Sequence, residues 1–319
     1  MAPLLIISDA DVEVLVGLDE LRSAMADALT ACSAGDASAP ARIAARAPHG
    51  ILGAMPGYAP GLGLAAKLIS VFPGNASRSR PSHCGVIVVF DEDEGVPTAL
   101  IAAGALTALR TAAASALAVD LLAPRDATSL VVLGAGAEGA THLGAVARVR
   151  PLGEIRIASR TAGRAARLAT TWPGALACGN FEDAVRGAEI ICCCTDARTP
   201  ILAPEWVSPG ATITSVGTGE ELPPELMARA QVFVEWRGAV TSQPPAGAVE
   251  LQGLDPSSVA ELGELLRDSD PAEPACPVGR DRSGIYVYKS TGHAVEDIAA
   301  AALVLRLARD AGAGQLVEL

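Results

Sequence analysis

Aromatic side chains are scarce in this chain. It has 3 Trp, 3 Tyr and 4 Phe in 319 residues, although half of all residues are apolar. Ala, Val, Leu and Ile must therefore fill the core, which suits sheets covered by alanine-rich helices. Runs of Lys or Arg are missing too, and the formal net charge is −12. That balance excludes the broad basic footprint of a nucleic-acid or anionic-membrane binder, while leaving room for a local basic pocket. No basic leader precedes Asp9, so no secretory signal is expected. The alanine-rich stretch 100–123 is broken by Arg110 and Asp120 and reads as a buried helix, not a membrane span. Seven cysteines, an odd number, argue for reduced thiols and a cytoplasmic location. Cys192, Cys193 and Cys194 are consecutive in a strand-like run. Their side chains alternate between faces and cannot converge on one ion, so no metal is expected.

What the chain does have is a change of rhythm near residue 120. Before it come short helix candidates at 9–16 and from Asp19 to Cys32, then strand-like runs at 42–47, 51–55, 62–71 and 85–90. A long helix over about 106–122 stops at Pro124. Beyond it, strands near 130–133, 154–158, 175–178, 189–194, 212–216 and 231–235 alternate with helical or turn segments. That alternation predicts a doubly wound parallel sheet. A Pro/Gly/Ser-rich segment, 243–277, carries a short helix around 259–267. A last strand at 285–289 leads into a helix over 294–311, with Glu296 and Asp297 in its first turn, where acids suit the helix dipole.

The most informative motif opens this second region. The apolar run 129–133 breaks into G-x-G-x-x-G, with Gly134, Gly136, Ala137, Glu138 and Gly139 in the loop. A buried strand turning sharply into a helix points backbone N–H groups outward, and glycine lets a pyrophosphate approach closely. The next strand ends in Ser159, Arg160 and Thr161, with Arg164 a turn further on. An acid there would bind the 2′-hydroxyl of NAD; a cation and hydroxyls suit a 2′-phosphate, favouring NADP(H) over NAD(H). The reading is a Rossmann-type domain over 121–293, with Thr195 and Val216 as further cofactor candidates at strand ends. A smaller α+β domain spans 1–120 and is completed by 294–319.

Three cations of the first region stand in suggestive settings. Arg42 lies in A-P-A-R-I-A, Lys67 in G-L-A-A-K-L-I and Arg110 in L-T-A-L-R-T-A-A. Lys67 and Arg110 interrupt apolar sequence, and a buried cation needs a partner. A substrate carboxylate fits that need, and so does a structural salt bridge. His83, His142 and His293 read more readily as structural than as contacting a ligand.

Met55-Pro56, Ala66-Lys67, Pro73-Gly-Asn75, Ser82-His83, Leu109-Arg-Thr-Ala-Ala113, the glycine loop, Val216-Gly217 and Ser290-x-Gly292-x-Ala-Val-Glu-Asp297 fall in one order along nearly the whole chain. Together they resemble the ornithine cyclodeaminase/mu-crystallin family. The resemblance implies a homodimer with a dimerisation and substrate-binding domain and a Rossmann domain. It implies carboxylate-binding roles for Arg42 and Arg110 and an active-site role for Lys67. Met55 and Ser82 would line the pocket, and Thr111 and Thr291 would lie near the nicotinamide. One departure stands out. Cyclodeaminases resemble V-G-x-D-x-P-G-K-x-E-L after this strand, and Gly219 stands where they have the Asp. Glu220 is the candidate substitute carboxylate. The family's activities then leave three expectations: NADPH-dependent reduction of a small imino acid; an NAD-dependent cyclodeaminase or alanine dehydrogenase-like enzyme; or a ligand-binding protein with little turnover.

Overall fold

The computed structural model describes residues 3–78, 80–217, 219–268 and 283–318. The chain begins with β1 (Leu4–Ile7), α1 (Asp9–Leu15) and α2 (Leu18–Ala34). Ser8 and Asp11 cap α1 reciprocally, which fixes where that helix starts. There follow β2 (Ile43–Ala47), β3 (Gly50–Ala59), β4 (Gly63–Val71), β5 (His83–Phe90), β6 (Pro97–Ala102) and α3 (Ala103–Leu122). Strand and helix then alternate: β7 (Ser129–Leu133), α4 (Ala137–Val146), β8 (Glu154–Ala158), α5 (Ala162–Thr170), β9 (Ala175–Ala177), α6 (Phe181–Val185), β10 (Ile190–Cys193), β11 (Thr212–Ser215), α7 (Pro224–Met227), β12 (Ala230–Val234) and α8 (Gly238–Thr241). The chain continues through β13 (Ala260–Glu261), α9 (Leu262–Asp268), β14 (Ile285–Lys289), α10 (Ala294–Ala311) and β15 (Gln315–Val317).

Two units result. Unit 1 is Met1–Arg110 with His293–Leu319, and unit 2 is Thr111–Gly292. The boundary expected near 120 lies inside α3; the division falls between Arg110 and Thr111. Cys276 and the 269–277 end of the Pro/Gly-rich segment lie outside the described residues.

Unit 1 is built on a seven-stranded sheet in the order β15-β1-β6-β5-β4-β3-β2, antiparallel except for the β1–β6 pair. Its two faces differ sharply. Met55, Lys67 and Ile87 stand opposite one another across β3, β4 and β5, and all three are buried. Helix α10 packs against β3, β4 and β5. It comes so close that a Cβ on Gly57 would lie 2.8 Å from the Ile298 side chain. Ile43, Leu52 and Leu68 share the opposite face by register and are 68%, 50% and 39% exposed. Only non-local pairing reveals the terminal strands β1 and β15, and the exposed Gln-Leu-Val of β15 carries no periodic signal.

Unit 2 is an eight-stranded sheet in the order β13-β12-β14-β11-β10-β7-β8-β9, with every pair parallel. Alternate residues of β7, β8 and β10 fall into two separate cores, as burial on both faces requires. Leu130, Val132, Ile157 and Cys192 belong to one; Val131, Leu133, Ile213 and Cys193 belong to the other. The consecutive cysteines thus divide between faces. Helix α3 is apolar and long enough to cross a membrane, but most of it is buried inside the protein. At its C-terminal end the Arg150 guanidinium donates to the carbonyls of Val119, Asp120, Ala123 and Pro124 at 2.7–3.0 Å. The Val119 and Pro124 carbonyls also accept the N–H groups of Ala123 and Ala127, so the guanidinium adds to the capping of this helix end.

Candidate active site

In unit 2 the chain leaves β7 through Gly134, whose φ of 109° is open to glycine alone at little cost. A Cβ there would lie 2.3 Å from the Cys194 carbonyl oxygen, and one on Gly139 would lie 2.0 Å from that of Gly134. One on Gly136 would meet nothing within 4 Å. The first and third glycines let the turn close on itself. The second leaves open space at the N-terminus of α4, which no side chain caps. Such a concavity fits a pyrophosphate. At the end of β8 the Ser159 hydroxyl accepts the Thr161 N–H at 3.3 Å, and Arg160 is exposed. Arg164 and Arg167 line a cavity of about 440 Å³ together with Gly136 and Ala137. The sequence reading had named Arg164 and passed over Arg167, whose signal is its spacing one turn further along α5. His142 of α4 is fully buried and donates from Nδ1 to the Glu138 carbonyl at 2.7 Å.

Unit 1 gathers a different set. The Lys67 ammonium, on β4, donates to Oδ1 of Asp297 at 3.0 Å. The Arg110 guanidinium donates from Nε to the same oxygen at 3.1 Å and from Nη1 to Glu296 at 3.1 Å. Lys67, Arg110, Glu296 and Asp297 are each no more than 5% exposed. Arg42 is half-buried, and its charge acts on both Lys67 and Asp297. Burial draws the Lys67 pKa down to about 8, Asp297 opposes that fall, and the Arg110 and Arg42 charges deepen it. Burial alone would raise the Asp297 carboxyl, but the three cations outweigh it and its pKa is lowered. The ion pair therefore does not shift its two partners in opposite senses, because burial above all, and then the two further cations, lower Lys67. Three cations and two carboxylates thus act on one another in this unit. Glu296 and Asp297 are the residues the sequence reading missed as site members. Their place in the first turn of α10 hid them, since a helix start accounts for acids by itself.

The model of the ornithine cyclodeaminase/mu-crystallin family matches residues 4–311. The chain belongs to that family. It is 37% identical over 262 residues to a ketimine reductase mu-crystallin of Mus musculus, covering 80% of each chain. It is 30% identical over 268 residues to an iminosuccinate reductase of Paracoccus denitrificans, again covering 80% of each. Among solved structures, the Δ(1)-pyrroline-2-carboxylate reductase of Thermococcus litoralis, in complex with NADH and L-proline, superposes with a TM-score of 0.90. That match has 26% identity and covers 98% of this chain and 99% of the other.

The remaining candidates suggested by the family pattern are dispersed. Met55 is buried directly across from Lys67. Ser82 is not brought to that cluster. Its hydroxyl contacts His83 at 3.0 Å, and it stands five residues before Ile87, the strand partner of Lys67, roughly 16 Å along an extended chain. Thr111 is buried next in sequence to Arg110, at the start of unit 2. Thr195, Val216 and Thr291 follow β10, β11 and β14 at the C-terminal edge of the parallel sheet, where such folds bind ligands. Glu220 is half-buried, and its N–H donates to the Ala197 carbonyl at 2.8 Å. The deeply buried acid is its neighbour, Glu221. A Cβ on Gly219 would lie 1.7 Å from the Ala197 oxygen, so the loop as folded leaves no room for an aspartate there.

Proposed function

We propose that this chain is a nicotinamide-dependent reductase of small α-imino acids. The observation that carries the reading is the cluster of Lys67, Arg110, Arg42, Glu296 and Asp297 in unit 1, with Lys67 and Arg110 buried. The cations of this cluster suit a substrate carboxylate. Arg42 and Arg110 hold it, and a guanidinium does so with directional N–H donors. Lys67 donates its ammonium proton to the imine nitrogen as the C=N bond becomes C–N. A pKa of about 8 suits a donor that must part with its proton near neutrality. Asp297 keeps that ammonium oriented. The cofactor, when bound to unit 2, supplies the hydride for the imine carbon. Hydride and proton together convert the imine to an amine. The reductases named among the relatives support the reading. Cyclodeamination draws no support from Gly219, which has no space for the carboxylate that the family pattern places there.

The cofactor preferred is NADP(H). Ser159, exposed Arg160 and the cavity arginines Arg164 and Arg167 offer hydroxyl and cation to a 2′-phosphate, and no acid stands at the end of β8. Dimerisation uses the outer face of the unit 1 sheet, where Ile43, Leu52 and Leu68 form an exposed apolar row. A Leu68→Asp variant is expected to run as a monomer in size-exclusion chromatography with light scattering. The test of function is oxidation of NADPH and of NADH with a panel of cyclic and acyclic α-imino acids. Turnover with at least one and a preference for NADPH are expected. A chain that binds cofactor but reduces no member of the panel would overturn the reading.

A further inference from the structure

Among the buried carboxylates of unit 2 are Glu221 and Glu235, at the C-terminal edge of its sheet and both 0% exposed. Their hydrogen-bond partners are backbone N–H and hydroxyl groups. Oε1 of Glu221 accepts from the N–H and the hydroxyl of Thr195, both at 2.7 Å. Its Oε2 accepts from the Ser215 hydroxyl at 2.7 Å and the Gly217 N–H at 2.9 Å. Oε1 of Glu235 accepts from the Ser290 hydroxyl at 2.6 Å and from the Thr291 and Gly292 N–H groups, both at 2.9 Å. Lys289 braces the same region. Its ammonium donates to the Ser215 hydroxyl at 2.9 Å, the Gly217 carbonyl at 3.0 Å and Glu250 at 2.9 Å.

The donors share one location. Thr195 follows β10, Gly217 follows β11, and Ser290–Gly292 follow β14. These strands lie in the order β14-β11-β10 on one side of β7; β8 and β9 lie on the other. In such a sheet the dinucleotide lies across the strand ends on both sides of the glycine loop. The β8 side takes the adenosine, so the loops after β10, β11 and β14 take the nicotinamide. The packing is close there: a Cβ on Gly217 would lie 2.4 Å from the Thr195 carbonyl oxygen.

We propose that Glu221 and Glu235 are positioning residues for the nicotinamide half of the cofactor, fixing the three loops on which that half rests. The inference rests on the cofactor reading above. Both oxygens of Glu221 accept from two donors and Oε1 of Glu235 from three, while Oε2 of Glu235 shares the Thr291 N–H at 3.2 Å. A glutamine keeps the shape but turns one acceptor into an NH2 that faces donors, so one loop must let go.

The test compares the full chain with Glu221→Gln and Glu235→Gln, using ADP-ribose and NADPH as separate probes. ADP-ribose, titrated by calorimetry, is expected to bind both variants within twofold of the unsubstituted chain. The fluorescence enhancement of bound NADPH should fall by at least half. Turnover in imine reduction should drop at least tenfold, with the imino-acid KM changed less than threefold. Unchanged fluorescence and turnover would overturn the proposal. Equal losses of ADP-ribose and NADPH binding would do so as well, since they would mark general support of the domain. If the glutamine variants do not fold, Ser290→Ala and Thr195→Val each remove one hydroxyl donor and keep the charge. They should lower the same fluorescence signal, and normal signals in both would overturn the proposal. An unsubstituted chain that binds neither NADPH nor NADH would instead overturn the cofactor reading, and the inference with it.

Discussion

Unit 1 and unit 2 both bury carboxylates, and apart from Glu250 of unit 2, which pairs with Lys289, they surround them differently. Asp297 and Glu296 in unit 1 face cations. Glu221 and Glu235 in unit 2 face neutral N–H and O–H donors. In the first arrangement burial, opposed by Asp297 and deepened by the Arg110 and Arg42 charges, draws the Lys67 pKa down to about 8. The second satisfies each oxygen and ties loops together. A buried ion kept among opposite charges stays chemically responsive; one kept among fixed dipoles sets shape. On the function proposed above, unit 1 would bind and protonate the substrate, and unit 2 would hold the hydride donor still.

The strongest way to break the contrast is to remove the titrating group. Lys67→Met deletes the proton donor, while Arg110 still covers Asp297 through its Nε. Turnover is expected to fall by about 10²–10⁴, the usual contribution of a general acid, with NADPH affinity unchanged. Steady-state kinetics with a fluorescence titration of NADPH checks it. Near-normal turnover would move Lys67 out of the chemistry and make the cluster a structural salt bridge.

A smaller effect sharpens the same point through pH. With Lys67 as the acid, kcat/KM should decline as pH rises through about 8, where the ammonium loses its proton. Asp297 raises the Lys67 pKa, so Asp297→Asn should move that alkaline limb to lower pH. Turnover at pH 7 should then drop about tenfold, the amount that a shift of one pKa unit past neutrality can remove. A limb that stays in place in the variant would show that another group titrates there.

The sequence made unit 2 more legible than unit 1. A glycine loop between an apolar run and a helix is a local pattern, and so is the strand–helix alternation behind it. The structure has both, with β7, β8, β10, β11 and β12 within a residue or two of the expected runs. The unit 1 cluster joins residues 67, 110 and 297, which only folding brings together. Lys67 and Arg110 stood out because they interrupted apolar sequence. Asp297 did not, because an acid in a helix first turn is expected on dipole grounds. Glu221 was passed over for Glu220 because two adjacent acids look alike until backbone geometry buries one of them. Ser82 was expected at the pocket from the family pattern, and the length of β5 carries it away.

The smallest effect separates the two units by the direction in which pH acts on them. His142 is fully buried in unit 2, between the Glu138 carbonyl at 2.7 Å and the Ser115 hydroxyl at 2.9 Å. A carbonyl can only accept, so Nδ1 carries the proton and Nε2 accepts from Ser115. Burial pulls its pKa down from 6.5 to about 4. The imidazole is thus neutral at pH 7, and the 3.7 Å approach of Glu138 Oε2 is not an ion pair there. The unfolded chain binds a proton below pH 6.5 that the folded chain refuses until about 4. Folded stability is therefore full above 6.5 and is lost as pH falls toward 4. At pH 5 the loss amounts to about 2 kcal/mol, from roughly 1.5 pKa units at 1.36 kcal/mol each. Urea unfolding at pH 7 and pH 5 reads it directly, and His142→Gln should flatten the difference by that amount. The Lys67 cluster of unit 1 titrates on the alkaline side instead. An equal acid loss in the variant would show that carboxylates, not His142, carry the acid sensitivity.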